Sequence, residues 1–181
     1  APRSAPEAKQ RGRRRRGIRS NVIAGSGFYA RQEILDLHNL FSAALDPWNE
    51  PALAAFLRGP LAGVTDDTLM RMTRDSTLAR AFWESTGTVD SGEHEILHSA
   101  RALLVFIQDR REWPVAALMR ALLEETGFEG VLLAQYHGVQ KAGNIHKLAD
   151  IARSFGGAGR AGLRTFTEHL SSLSRNGLSA G

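Results

Sequence analysis

Cysteine is absent from the 181 residues. That removes disulfide scaffolds, thiolate zinc sites and cysteine nucleophiles together. Long apolar runs are missing too: none reaches the roughly 18 residues that a membrane-spanning helix needs. The basic N-terminal stretch is not followed by the apolar core of a secretory signal, so a soluble, cytoplasmic protein is the expectation. There is no G-x-x-x-x-G-K-[ST] phosphate loop, and Gly25-Ser26-Gly27 and Gly156-Gly157 are read as turns. No G-x-S-x-G elbow supports a nucleophilic triad. No two strand-like runs are joined by a hairpin turn, and no repeat period is present.

What the chain does have is 43% hydrophobic and 23% charged residues, a composition that supports one folded domain of ordinary size. The charge is uneven. Residues 1–20 hold eight basic groups, Arg13, Arg14, Arg15 and Arg16 among them, against Glu7, a net of +7. The other 161 residues carry 15 basic and 18 acidic groups, a net of −3, so the overall +4 comes from the N-terminal tail. An arginine tract can neutralise phosphates without reading sequence, with affinity that falls steeply as salt rises. It can equally be a solubilising tail or the cationic end of a helix closed by Gly17. The body has no global attraction for nucleic acid, so any contact there must be local.

Hydrophobic spacing points to helices. Val22-Ile23-Ala24 reads as one short strand without a ladder partner. Ile34, Leu37, Leu40, Phe41 and Leu45 fall three and four apart on one face. Asp46-Pro47 stops that helix. Leu53, Phe56 and Leu57 mark a second helix closed by Gly59-Pro60. Thr65 is placed to cap a third, with Asp66 and Asp67 in its first turn, and Thr77 to Glu84 is a fourth segment. A long helix over about 93–112 puts Ile96, Ala100, Leu103, Leu104 and Ile107 on one stripe. Pro114 opens the next helix and Gly127 closes it. Val131 to Tyr136 is a short apolar piece, and helices over 144–155 and 163–173 complete the chain. The expected class is all-α, an irregular multi-helix bundle with at most one short N-terminal strand. The expected division is a basic tail over 1–19, a helical domain over 20–175 and a disordered end over 176–181.

One local pattern carries metal chemistry. His94-Glu95-Ile96-Leu97-His98 matches H-E-x-x-H, in which two histidines one helical turn apart share a zinc ion and the glutamate acts as base. A catalytic zinc needs a third ligand, and nothing singles out Glu112, Glu124 or Glu125 for that role. Arg101 follows His98 by three residues, and a 100° projection turns both histidines away from the apolar stripe. A solvated helix face is the competing reading.

Three collinear stretches resemble UvrD/Rep/PcrA-type superfamily 1 DNA helicases. The first is Val22 to Asp36, where Gly25, Gly27, Phe28, Tyr29, Arg31 and Glu33 match a strand that ends in glycines, an aromatic pair and a helix opening on Glu-Ile. The second runs from Leu45-Asp46-Pro47-Trp48 through Gly59-Pro60 to Leu69 and is similar to the helicase accessory "2B" subdomain, closest to the AddA-like helicase–nuclease branch. The third joins Thr126-Gly127-Phe128, Tyr136, Gly138, Asn144 and the helix to Phe155.

The resemblance covers about residues 13–173, so it implies that Arg13 to Ser20 match the end of a helix and turn of the upstream motor domain. Residues 1–19 are then a stranded end of that domain instead of a largely disordered tail. The resemblance also implies an all-helical accessory domain that lies over duplex DNA near the single-strand/duplex junction and touches motor domains. In the family a glycine turn at a helix N-terminus meets the duplex backbone, and here it falls on Gly63-Val64-Thr65. Free amides at such a turn suit a phosphate, although Thr65 replaces a glycine and Asp66 and Asp67 stand beside it. ATP and magnesium belong to the parent motor. The resemblance implies no cofactor and no catalysis in this segment. Its implied partners are a helicase motor and a nuclease subunit, with no membrane, in a bacterial, nucleoid-associated setting. A protein-interaction module without DNA contact is the alternative, with an exposed apolar patch around Trp48, Trp83 or Trp113 as its mark. A zinc-dependent hydrolase using His94 and His98 is the third reading.

Overall fold

The computed structural model describes residues 27–84, 90–155 and 162–178. Among these the only regular elements are helices: α1 (Gln32–Leu45), α2 (Glu50–Arg58), α3 (Asp66–Met72), α4 (Leu78–Glu84), α5 (Ser91–Asp109), α6 (Val115–Thr126), α7 (Phe128–Leu133), α8 (Gly138–Phe155) and α9 (Leu163–Leu178). The chain is an all-α multi-helix bundle. Val22-Ile23-Ala24 and the arginine tract lie outside the described residues, as does Gly25.

Helix α1 is the hub. It packs against α2, α5, α8 and α9, and Ile34, Leu37, Leu40 and Phe41 are fully buried there. Each such side chain contributes roughly 1.5–3 kcal/mol through burial. Around it, α6 and α7 pack on α8, while α2 and α3 pack on α4. Phe56, Phe82, Phe128 and Phe166 extend the same core into α2, α4, α7 and α9.

The helix starts are chemically specified. Asn49 caps α2 by accepting from the Ala52 amide at 3.1 Å. Thr65 caps α3 as expected, its hydroxyl accepting from the Thr68 amide at 3.2 Å. Helix α5 opens on a full capping box: Asp90 accepts from the Glu93 amide at 2.9 Å, and Glu93 accepts from the Asp90 amide at 3.1 Å. Gly127 ends α6 in the left-handed region at φ +59, a conformation that costs a glycine little.

The structure corrects several expectations. The buried stripe of α5 runs through Leu97, which is 3% exposed, and not through Ile96, which is 39% exposed. Ala100, Leu103, Leu104 and Ile107 are buried as expected. Helix α8 begins at Gly138 instead of Asn144, and the apolar piece near Val131 is helix α7. The long helix ends at Asp109, three residues short of the expected end.

Candidate functional site

Resemblance motifs far apart in sequence meet where the start of α1 faces α8. Glu33 is buried, and its Oε1 accepts from Asn144 Nδ2 at 2.6 Å across 111 residues. Phe28 and Tyr29 stand edge to face with centroids 5.1 Å apart, and Lys147 Nζ lies 4.9 Å from the Phe28 ring. Burial pushes the Tyr29 hydroxyl above its usual pKa. One turn along α1, Asp36 accepts from Gln32 Nε2 at 2.8 Å. Burial raises the Asp36 pKa, and the Gln32 bond opposes that shift. Arg31 is exposed at the N-cap, and a Cβ on exposed Gly27 would meet open space. The arrangement anchors one helix to another. It pairs the buried carboxyls of Glu33 and Asp36 with less buried side-chain amides.

The Gly63–Thr65 turn is the second place to examine. Gly63 is exposed with φ +73. Its amide donates to Gly59 O at 2.8 Å, and the Val64 amide donates to Leu57 O at 2.8 Å. Val64 itself is a buried core side chain. Two of the three amides in the turn therefore serve the fold. The carboxylates beyond them are paired, Asp66 with Arg58 at 2.7 Å and Asp67 with Arg71 at 2.8 Å. Arg71 and Thr68 also hydrogen-bond Glu93, which ties α3 to the start of α5. The Thr68 hydroxyl is the largest influence holding the Glu93 carboxyl below its ordinary pKa.

His94 and His98 are exposed on α5, as their projection predicts. Arg101 turns away to donate to Phe82 O at 2.5 Å, its guanidinium 5.2 Å from the Phe82 ring. No group of three or more His, Asp or Glu side chains able to hold a metal ion occurs among the described residues.

The three tryptophans do not share a patch-forming role. Trp83 is half-buried and donates to Pro47 O at 3.1 Å. Trp113 lies beside the Arg110 guanidinium at 5.3 Å, and Trp48 is exposed. Four other exposed large hydrophobics, Val131, Leu133, Tyr136 and Val139, fall where α7 leads into α8, while Met70, Ile96 and Val105 are exposed elsewhere. The apolar composition of 131–136 is the sequence signal for the α7–α8 group. A crevice of about 310 Å³ between α1 and α9 has a mixed lining that includes His38, Asp46, Arg164 and Glu168. Burial lowers the His38 pKa.

One further pattern escapes the motif reading above. Gly157, Gly159 and Gly162 have the G-x-G-x-x-G spacing of a dinucleotide loop. The element before it is helix α8, whereas that loop follows a strand. Residues 156–161 lie outside the described residues.

No family model matches the chain. Among curated proteins, the A subunit of the ATP-dependent helicase/nuclease of Acetivibrio thermocellus is 27% identical over 161 residues, covering 87% of this chain and 13% of that protein. The protein of the same name from Geobacillus thermodenitrificans is 27% identical over 173 residues, covering 89% of this chain and 14% of its own length. The one from Thermoanaerobacter sp. is 24% identical over 161 residues, with shares of 87% and 13%. The chain is homologous to a segment of this helicase/nuclease protein. The AddA-like resemblance thus holds along most of the chain, which spans about 13–14% of the length of these relatives. No helix among the described residues is long and apolar enough to cross a membrane.

Proposed function

We propose that the chain is a helical accessory domain of a UvrD/AddA-like DNA helicase, without catalysis of its own. In this reading it positions duplex DNA near the single-strand/duplex junction or regulates the motor by packing on it, in a bacterial cytoplasm beside the nucleoid. The observation that carries the reading is the extent of the similarity. It runs along 87% of this chain yet accounts for 13% of a protein whose name is that of a helicase/nuclease component. ATP, magnesium and the nuclease partner belong to the rest of such an assembly.

Duplex contact rests mainly on Arg13–Arg16 and their basic neighbours, because the body carries a net charge of −3. The Gly63–Thr65 turn is at most a second contact, since its Gly63 and Val64 amides are already donated within the fold. Binding should be weak and independent of sequence, and it should fall steeply between about 50 and 200 mM salt. Deleting residues 1–19 should remove most of both the affinity and the salt slope, as measured by fluorescence anisotropy on a labelled duplex. A deletion that binds as the full chain does at both salt concentrations would reject the tail as the contact. A change at Val64 would disturb the core and one at Gly63 would strain a left-handed turn, so neither isolates a phosphate contact there.

The protein-interaction reading, without DNA contact, draws on one specific observation: the exposed apolar corner between α7 and α8.

A further inference from the structure

We infer that Arg31 and Lys147, two cations gathered at the Phe28 turn, form a phosphate-binding site through which the folded body meets the backbone of duplex DNA. The inference rests on the duplex-contact reading above and locates on the body a contact that this reading leaves mainly to the N-terminal tail.

One aromatic residue brings the two cations together. The Arg31 amide donates to the Phe28 carbonyl at 3.2 Å, and Lys147 Nζ lies 4.9 Å from the centre of the Phe28 ring. The Glu33–Asn144 bond ties α1 to α8 beside them, two residues after Arg31 and three before Lys147. Phe28 holds Lys147 without neutralising it, because a ring attracts a cation through its quadrupole and has no net charge to cancel. Arg31 is exposed, and its side chain makes no capping bond to α1.

Acidic groups are withdrawn from this end of the molecule. Residues 1–32 hold nine basic groups and one acid, Glu7. The next two acids along the chain, Glu33 and Asp36, are 3% and 7% exposed, and each is bonded to a side-chain amide. After them comes Asp46, at the far end of α1. On α8, Asp150 is paired with Arg153 at 2.7 Å, and Glu129 of α7 is paired with His146 at 3.0 Å. Lys141 donates to Gln135 at 2.6 Å and stands outside the site.

Position selects the ligand. Two cations suit a carboxylate as well as a phosphate. Arg19 lies nine residues before Phe28, at most roughly 30 Å of extended chain. One turn of duplex is longer, about 34 Å. The tail and the Phe28 turn can therefore engage one duplex together, and a regular polyanion rewards both through the counterions it releases. A single carboxylate on a protein surface rewards only one of them.

The test follows binding of the full chain to a labelled duplex by fluorescence anisotropy between about 50 and 200 mM salt. Arg31→Gln/Lys147→Gln removes two phosphate contacts, so across this range the native chain should lose about tenfold more affinity than the double variant does. Exchanging the two charges, Arg31→Lys/Lys147→Arg, should keep the native slope. Arg120→Gln/Arg164→Gln, which removes two exposed cations from α6 and α9, should keep it too. Arg31→Gln alone serves where the double variant fails to fold, and its difference from the native chain should be about threefold. A Gln pair at Arg31 and Lys147 that keeps the native slope overturns the site. So does a control pair or a charge-preserving pair whose slope falls as far. Each of those results leaves the tail contact standing. A native chain that binds no duplex at about 50 mM salt rejects the duplex-contact reading itself, and the site with it.

Discussion

Two polar seams hold the helices together, and they differ in how much water reaches them. Where α1 meets α8, buried Glu33 shares one bond with half-buried Asn144. Where α3 meets α5, Thr68 and Arg71 converge on Glu93, with the Arg58–Asp66 pair on the exposed flank. The second seam has more bonds, and the first should matter more. A buried partner left alone loses its hydrogen bond and gains no water, whereas an exposed one is rehydrated at once. Counting interactions would rank the two seams the wrong way round.

The largest expected effect comes from breaking the buried seam on one side. Asn144→Leu leaves the buried Glu33 carboxyl without its partner and should cost about 2–3 kcal/mol in urea unfolding. Replacing both residues by leucine should cost less than the sum of the single changes, because no orphaned polar group remains. Additive losses would show that the two residues act through separate neighbours.

Next is the α3–α5 seam, which separates from the first by its pH dependence. Glu93 has a depressed pKa in the fold, so its contribution is present above the ordinary carboxylate range and is lost as pH falls through the folded pKa. The stability difference between the native chain and Glu93→Gln should therefore be present at neutral pH and vanish in acid. Asp36 runs the other way. Its raised pKa means that ionisation opposes folding, so Asp36→Asn should lose most of its penalty, or become stabilising, as pH rises above the folded pKa. A pair of denaturation series from about pH 7 to pH 3 would sharpen the contrast, and parallel curves would break it.

The smallest effect belongs to the fully solvated flank. Arg58→Ala should change stability by no more than about 0.5 kcal/mol, since the Arg58–Asp66 pair is exposed on both sides. A loss as large as that of Asn144→Leu would erase the distinction between the seams.

Much of this architecture can be read from local pattern. The face of α1 follows from spacings of three and four, and the Thr65 cap and the Gly127 stop follow from residue type alone. Spacing puts only the first residue of the α5 stripe one position off because Ile96 and Leu97 are both apolar, and only packing decides which of two neighbours faces inward. The first turns of α8 escape the pattern because Gly138 and Gly143 lower helix propensity there, while Ala142, Ile145 and Leu148 hold the helix by burial. Resemblance marks Glu33 and Asn144, but nothing local announces a bond between residues 111 apart. The apolar corner is visible as a run of hydrophobic letters, and its exposure depends on a turn geometry that no periodicity encodes.

The central place of α1 has a cost during synthesis. Helix α1 is made before the other described helices, yet the segment that covers its Glu33 end arrives 111 residues later. At about 5–20 residues per second that interval lasts roughly 6–20 seconds, and throughout it the Glu33 carboxyl waits without its Asn144 partner.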